Sequence, residues 1–369
     1  MVALAGPLVL AFMLVFLGTP LVKRVAYKLN ALDEPEARKV HTQKMPRLGG
    51  LAIYLGFWAT VLLTQEMTPV LYALLAGGSL ITLVGIIDDI KGVSPRTKLF
   101  IQFVAALAVM MAGVKVDFIT HPFGEFIHLQ YLAYPVTLLW IIGITNAVNL
   151  IDGLDGLAAG VSAIAAATLG AVAFLETTQQ AAVLAFLLAA SILGFLRYNF
   201  HPAQIFMGDT GSLFLGYNLS VIAIIGMTKS TTVISLLLPV VILGIPIADT
   251  LFAIIRRYMG GKPIFRADKD HLHHRLLNLG LTHRGTVLSI YSLSAVLGLS
   301  AIAMAVVTKA QGMLMMMALI LGFSIIAQKL GLLKSNKNIV GEQEPAQGEQ
   351  APQTQRQRQP QHAFHDIAK

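Results

Sequence analysis

Eleven apolar runs alternate along the chain with short polar segments. Most of them approach the length of about 20 residues that an α-helix needs to cross a hydrocarbon layer of roughly 30 Å. The pattern therefore predicts an all-α fold, a polytopic membrane helical bundle of about eleven transmembrane helices. The predicted spans lie near residues 3–20, 49–64, 69–87, 98–114, 131–147, 157–175, 181–198, 212–227, 231–255, 285–307 and 311–330.

Three stretches depart from this simple pattern. Residues 115–130 alternate apolar and polar side chains, which predicts a short external hairpin. Pro239 and Pro246 fall within the ninth run and should kink or break it, because proline removes a backbone donor. Residues 331–369 are rich in glutamine, proline and glutamate, so we expect a disordered cytoplasmic tail after a membrane domain at 1–330.

Composition and charge agree with a membrane protein and suggest its orientation. Of the 369 residues, 56% are hydrophobic and 12% are charged, which is too little charge to cover a soluble globule. Lys and Arg stay on the cytoplasmic side of short loops. An outside N-terminus and a cytoplasmic C-terminus place all but three of the 27 Lys and Arg residues inside, the exceptions being Lys115, Lys229 and Lys309.

The basic inner face narrows the range of partners. A net charge of +8 concentrated on one face attracts anionic lipid headgroups and phosphorylated solutes. Nucleic acid is excluded as a partner, since the basic residues are spread over loops that lack an aromatic stacking platform. The absence of cysteine excludes disulfides and thiolate metal sites.

Four acidic or polar clusters lie at the predicted cytoplasmic ends of the apolar runs. Carboxylates grouped at a lipid boundary indicate metal-assisted phosphate chemistry, because they are the hard ligands that Mg²⁺ prefers. The clusters are Asp88–Asp89, Asn149 to Asp155 (NLIDGLD), Gly208–Asp209 and Asp268 to His274 (DKDHLHH).

Each carboxylate cluster also has a purely structural interpretation. Asp88 and Asp89 need water, a cation or a basic partner, which a solvated helix end would also supply. Asp209 precedes an apolar helix, where it could cap that helix or hold a cation. Asp152 and Asp155 are three residues apart and should face one side, yet Asp155 could instead cap the helix that begins near residue 157.

The flanking residues of these clusters suggest binding to phosphate. Asn149 adds an amide on a similar face to Asp152 and Asp155, and glycines 153 and 156 permit close approach of a ligand to the backbone. Lys44 and Arg47 precede the pair Gly49–Gly50, which suits a phosphate, although retention of positive charge inside also explains them. Asp249 lies inside the ninth run, one to two turns from Arg256, and its role stays open.

The histidine-rich segment supplies side chains that hydrogen-bond phosphates or move protons near neutral pH. Its spacing predicts that His271 and His274 share a helical face, and a zinc site is the competing interpretation. The segment contributes His271, His273, His274 and Arg275.

Six segments together resemble the signature sequences of a known family. They are KVHTQKMPRLGGLA, GIIDDIKG, NAVNLIDGLDGLAAG, IFMGDTGSLFLG, GIPIADT and DKDHLHHRLL. Their order and spacing over residues 20–290 are similar to those of the polyprenyl-phosphate N-acetylhexosamine-1-phosphate transferases, glycosyltransferase family 4. The chain looks most similar to the members that begin teichoic acid synthesis.

The resemblance implies an enzyme of the cell membrane with its active site on the cytoplasmic face. Such an enzyme transfers a sugar 1-phosphate from a UDP-sugar to undecaprenyl phosphate and releases UMP, with Mg²⁺ or Mn²⁺ bound. By resemblance, Asp209 and Asp152 bind metal, and Asp88 and Asp89 serve the lipid phosphate and metal as catalytic residues. Displacement is direct or passes through a covalent aspartyl phosphate, and Asp88 is a candidate base.

The resemblance also assigns the substrate contacts. His271 and His274 are expected to act in catalysis at the donor diphosphate. The residues expected to bind substrate are Lys44, Arg47, Asn149, Asp152, Asp155, His273 and Arg275.

The donor and the class of protein have alternatives. Leu272 interrupts a histidine run that is continuous in relatives acting on UDP-MurNAc-pentapeptide, so UDP-GlcNAc is the expected donor, and the phospho-MurNAc-pentapeptide transferase of peptidoglycan synthesis is the alternative. An ion-coupled transporter would also carry acidic residues in a helical bundle, but near the bilayer midplane. The oligomeric state stays open, with a homodimer as one alternative.

Overall fold

The computed structural model describes residues 2–33, 44–120, 126–227, 237–261, 271–329 and 331. Within these residues the chain is almost entirely helical. The α-helices are α1 Val2–Lys28, α2 Gly49–Thr64, α3 Pro69–Lys91, α4 Pro95–Met111, α5 Ala133–Leu150, α6 Leu157–Leu175, α7 Gln179–Asn199, α8 Gly208–Met227, α9 Leu237–Ile242, α10 Gly244–Met259, α11 Leu272–Asn278, α12 His283–Val306 and α13 Lys309–Lys329.

The helices confirm an all-α, multi-pass membrane protein. Eight helices within the described ranges are long and apolar enough to cross a bilayer, namely α1, α3, α5, α6, α7, α8, α12 and α13. Helix α2 is apolar but shorter, with 16 residues. The count of eleven spans and the orientation of the termini stay predictions. The predicted tail falls outside the described residues except for Gly331.

The ninth run is divided, as its prolines predict. Helix α9 ends at Ile242, Leu243 lies between the two helices, and α10 begins at Gly244. Pro239 lies inside α9, and Pro246 lies in the first turn of α10, where its missing N–H is tolerated. The division separates Asp249 and its neighbours from the short helix that precedes them.

Two small antiparallel strand pairs connect helices. The strands β3 (Phe118–Thr120) and β4 (Phe126–His128) form the predicted hairpin. The strands β1 (Leu32–Asp33) and β2 (Met45–Pro46) form a second pair that no sequence pattern indicated. The second pair places the residues that follow β2 at the end of the bundle where α3 ends and α8 begins.

Helix α8 forms the centre of the bundle and lies almost entirely inside it. It packs against α2, α3, α5, α6 and α7. Glycine permits this close packing, because a Cβ on Gly50 would overlap the backbone of Gly211. Farther along α8, Phe214 and Tyr217 are fully buried. The first turn of α8 is therefore held at the middle of one end of the bundle.

Candidate active site

Local sequence signals bring α3 and α4 back onto each other at this end. Helix α3 ends at Lys91, and its C-cap Gly92 has φ +74° and an N–H that donates to the Asp88 carbonyl at 2.8 Å. Two residues later Ser94 caps α4 by accepting from Thr97 N, with proline at the first helical position. The short turn places Lys98, in the first turn of α4, beside the end of α3.

Asp89 caps the central helix α8 from the neighbouring helix α3. Its Oδ1 accepts from Asp209 N at 3.0 Å, and its Oδ2 accepts from Thr210 N at 3.0 Å and from Thr210 Oγ1 at 2.7 Å. Gly208 has φ +70°, and a Cβ there would overlap the Asp89 carboxylate. Asp89 therefore does for α8 what Asp209 was predicted to do as a structural cap.

Asp88 and Asp209 instead share one cation, the ammonium group of Lys98. Lys98 Nζ lies 2.8 Å from Asp88 Oδ2 and 2.6 Å from Asp209 Oδ2. Asp88 also accepts from Val93 N at 2.7 Å. The sequence indicated Lys98 only as one of the inner basic residues, and the structure adds it to the site.

Arg47 completes the charged cluster from the other side. Its guanidinium lies 3.2 Å from Asp89 Oδ1 and 3.3 Å from Asp33 Oδ1. Burial alone would lower the pKa of Arg47, but the carboxylates of Asp89 and Asp33 raise it, so the side chain stays charged. About 30% of the side chain is exposed, which leaves it accessible to an anion. Lys44 lies exposed immediately before β2.

The glycine pair after Arg47 has a different role from the predicted one. Gly49 N donates to the Phe206 carbonyl and Gly50 N donates to the Met207 carbonyl, each at 2.9 Å. These two N–H groups already bond to the loop before α8, so they are not available to the phosphate that was predicted to approach the backbone here. The pair fastens that loop to α2.

The three carboxylates fit a hard divalent ion. One oxygen from each of Asp88, Asp89 and Asp209 lies within 4.8 Å of the others. Asp89 is fully buried and already bonded, whereas the side chains of Asp88 and Asp209 are 12% and 18% exposed. Asp88 and Asp209 are therefore the better placed ligands. Among the described residues, the predicted ligand Asp152 is not part of this group.

Asp152 lies close enough to the carboxylate cluster for its charges to shift the pKa of Asp152. It sits in the turn between α5 and α6, where burial raises the pKa of its carboxyl to about 8 and the charges of Asp209 and Asp89 contribute to the rise. Asn149, at the end of α5, donates from Nδ2 to Ser212 Oγ at 2.8 Å. This bond connects the NLIDGLDG segment, residues 149–156, to α8, so the segment lies at the same end of the bundle as the carboxylate cluster.

Asp155 has partners that the sequence did not indicate. Its Oδ2 lies 2.8 Å from His201 Nδ1 and accepts from Ala203 N at 3.1 Å. The ring of His201 stacks on that of His283 with centroids 4.0 Å apart. The alternative that Asp155 caps α6 is wrong, because Gly156, with φ +75°, is the N-cap.

The histidine segment lies against the same turn. His271 is the N-cap of α11, outside the helix, so the prediction that it shares a helical face with His274 is wrong. The His273 ring lies 5.9 Å from that of His271 and 4.2 Å from that of His274. His273 also packs on Gly153, where a Cβ would meet its Nε2. Gly153 thus admits a protein side chain rather than the predicted ligand.

Burial keeps His273 neutral, and Arg275 has a structural contact. Burial lowers the pKa of His273 to about 3, and His274 contributes to the shift. Arg275 is buried, and its Nη1 donates to the Gly331 carbonyl at 2.7 Å. In the described part of the chain, no group of three metal-ligating side chains includes these histidines. The predicted roles of His274 and Arg275 toward substrate stay predictions, and residues 268–270 lie outside the described ranges.

Comparisons with known proteins now decide the family. The sequence model of glycosyl transferase family 4 matches residues 71–227. A Bacillus subtilis protein named probable undecaprenyl-phosphate N-acetylglucosaminyl 1-phosphate transferase is 45% identical over 335 residues, which cover 90% of this chain and 94% of that protein. The chain belongs to glycosyl transferase family 4. The carboxylate cluster, Lys98 and the NLIDGLDG turn all lie within the matched region.

More distant members have related names. A Mycobacterium leprae decaprenyl-phosphate N-acetylglucosaminephosphotransferase is 35% identical over 76% of this chain and 78% of its own length. An Escherichia coli undecaprenyl-phosphate alpha-N-acetylglucosaminyl 1-phosphate transferase is 27% identical over 77% of this chain and 80% of its own. These names couple a polyprenyl phosphate with N-acetylglucosamine.

Proposed function

We propose that the protein transfers GlcNAc 1-phosphate from UDP-GlcNAc to undecaprenyl phosphate, releasing UMP and forming undecaprenyl-diphospho-GlcNAc. The observation that carries the proposal is the convergence of Asp88, Asp209 and Lys98 at one end of the bundle. The identity of 45% to a relative named for this reaction supports the choice of substrates. We propose that the product begins a cell-wall polymer, teichoic acid or another surface glycan.

The reaction requires two anions to meet. An oxygen of the lipid phosphate attacks the β-phosphorus of the nucleotide sugar, a new phosphorus–oxygen bond forms, and the bond from that phosphorus to the bridging oxygen breaks. The electron pair of that bond leaves with UMP. Positioned cations lower the barrier by balancing the negative charge that both reactants bring.

Three partly exposed side chains can contact the reacting phosphates. Lys98 can move its ammonium from the two carboxylates to a phosphate oxygen, since its side chain is 21% exposed. Arg47 can reach the same anions while Asp89 anchors it. Asp88, beside Lys98, would orient the attacking phosphate and accept its proton when that phosphate is protonated.

Mg²⁺ or Mn²⁺ is the proposed cofactor, with Asp88 and Asp209 as its ligands. A bound divalent ion would neutralise diphosphate charge and stabilise the leaving UMP. The ammonium of Lys98 supports this assignment, because it is a cation held between these two carboxylates. That Asp152 is a further ligand stays a prediction, because Asp152 lies outside the group of three.

We place the site on the cytoplasmic face of the membrane. The basic residues support this side, because positive charge is retained there and because UDP-sugars are cytoplasmic solutes. A prenyl phosphate would enter from the bilayer and a UDP-sugar from water. An ion-coupled transporter is disfavoured, since Asp88, Asp89 and Asp209 meet at helix ends rather than at a midplane break.

UMP release by the purified protein in lipid nanodiscs tests the proposal. The assay offers UDP-GlcNAc or UDP-MurNAc-pentapeptide, with and without undecaprenyl phosphate and Mg²⁺. We expect release from UDP-GlcNAc that requires both lipid and Mg²⁺ and is lost in Asp209→Asn. UMP release from UDP-MurNAc-pentapeptide but not from UDP-GlcNAc would favour the peptidoglycan enzyme. Full activity of Asp209→Asn would refute the assignment of Asp209 as a metal ligand.

A further inference from the structure

Asp249 is a buried carboxylate whose role the sequence left open. It makes two contacts with the histidine segment. The residue lies in α10 and is 4% exposed. Its Oδ2 lies 2.8 Å from His271 Nδ1, and its Oδ1 accepts from Leu272 N at 2.8 Å. Both partners belong to the histidine segment, so one carboxylate fixes the place where α11 begins.

The pairing also fixes the proton on the imidazole. A carboxylate oxygen only accepts, so the Nδ1 atom of His271 must donate to it. A neutral ring then carries its lone pair on Nε2, and a charged ring presents Nε2–H. In either state the bond to Asp249 leaves Nε2 as the atom that can meet another group.

The ring of His271 is connected to the candidate active site by packing. It stacks with that of His273 at an interplanar angle of 2°. His273 packs in turn on Gly153, next to Asp152. A change in the orientation of the His271 ring would therefore shift the turn between α5 and α6, whose residues Asp152 and Asp155 are predicted to bind substrate.

Three other interpretations of Asp249 are weaker. Within the described residues it belongs to no group of three side chains that could hold a metal ion. A transport role would need the carboxylate to exchange with water, but it is buried and both oxygens are bonded. A purely structural role as the anchor of α11 would need only the bond to Leu272 N and gives no reason for the bond to His271.

We propose that Asp249 is a positioning residue that sets the ring orientation and the Nδ1–H form of His271, so that Nε2 faces the diphosphate of the nucleotide sugar. The choice of diphosphate rests on the proposed function. The coupling between Asp249 and His271 does not, and it can be tested separately.

The first test needs no activity. In protein carrying ¹⁵N-labelled histidine, the ring signals of His271 are assigned by their loss in His271→Gln. We expect the wild-type protein to carry a proton on Nδ1. Asp249→Asn should reverse this, because the amide oxygen accepts from Leu272 N while the amide NH₂ faces Nδ1 and forces the proton to Nε2. A bare Nδ1 in the wild-type protein, or no change in the variant, would overturn the inference.

The second test is a double-mutant cycle on UMP release. Asp249→Asn should lower kcat on the order of 10²-fold with little change in KM, the size of effect that a misplaced acid–base group produces. In the His271→Gln background the same substitution should change kcat less than about twofold. Equal losses in both backgrounds would show that Asp249 acts independently of His271 and would overturn the proposal.

A matched control keeps the two proposals apart. Asp117→Asn removes a half-exposed carboxylate paired with Lys115 at 3.0 Å, and we expect wild-type kcat and wild-type ring signals. If the wild-type protein released no UMP while the ring signals behaved as expected, the proposed function would fail and the coupling of Asp249 to His271 would stand.

Discussion

Asp88 and Asp89 are neighbours with identical side chains, yet substitution by asparagine should affect protein stability at Asp89 and metal binding at Asp88. Asp89 is fully buried and accepts three hydrogen bonds from the first turn of α8, besides its contact with Arg47. In Asp89→Asn one side of the amide must present NH₂ to a backbone N–H. The lost bond and the unpaired buried donor should destabilise the protein by about 1–3 kcal/mol.

Truncation of Asp89 to alanine should destabilise the protein more than substitution by asparagine. Asp89→Ala leaves the donors of Asp209, Thr210 and Arg47 without this acceptor, so its loss of stability should exceed that of Asp89→Asn. Asp88→Asn should change stability by only about 0–1 kcal/mol, because its partner Lys98 is partly exposed and keeps Asp209 as a counter-ion.

The assay is reversible unfolding in mixed micelles, followed together with the Mn²⁺ dependence of UMP release. We expect Asp89→Asn to lower the free energy of unfolding while the residual activity keeps a wild-type Mn²⁺ requirement. Asp88→Asn should keep stability and raise the Mn²⁺ requirement. Equal stability of the two variants, or a larger loss in Asp88→Asn, would refute the assignment of Asp89 as the cap of α8.

Three further substitutions test other contacts. Lys98→Met should tighten Mn²⁺ binding to the two carboxylates it bridges, yet lower kcat on the order of 10²-fold, as electron paramagnetic resonance and UMP release would record. Gly208→Ala should lower the unfolding midpoint further than Gly92→Ala, since both have positive φ but only the first would place a Cβ against a carboxylate. Gly153→Ala should displace His273 and raise KM for UDP-GlcNAc, with thermal stability as the check.

The sequence predicted the helices well because each one depends on a local property. An apolar run of sufficient length becomes a helix in a bilayer whatever its neighbours are. The break between α9 and α10 also has a local cause, namely Pro239 and Pro246. The carboxylate clusters could also be predicted to converge, since a basic inner face and the positions of the runs put them at one end.

The separate roles of the site residues could not be predicted from the sequence, because they depend on how the helices pack. Successive helical residues point about 100° apart, so whether Asp88 or Asp89 faces α8 depends on how α3 is rotated. Lys98 meets Asp209 across 111 positions, and no local pattern relates them. The bond between Asp249 and His271 likewise joins residues of separate elements.

The most direct test of the account is the binding of Mn²⁺ to the purified protein, measured by electron paramagnetic resonance. The structure predicts a site formed jointly by Asp88 from α3 and Asp209 from α8, so either asparagine variant should weaken binding at least about tenfold. Asp117→Asn, which removes a half-exposed carboxylate paired with Lys115, should bind as the wild-type protein does. Wild-type affinity in both Asp88→Asn and Asp209→Asn would contradict the central claim that these two carboxylates share one cation.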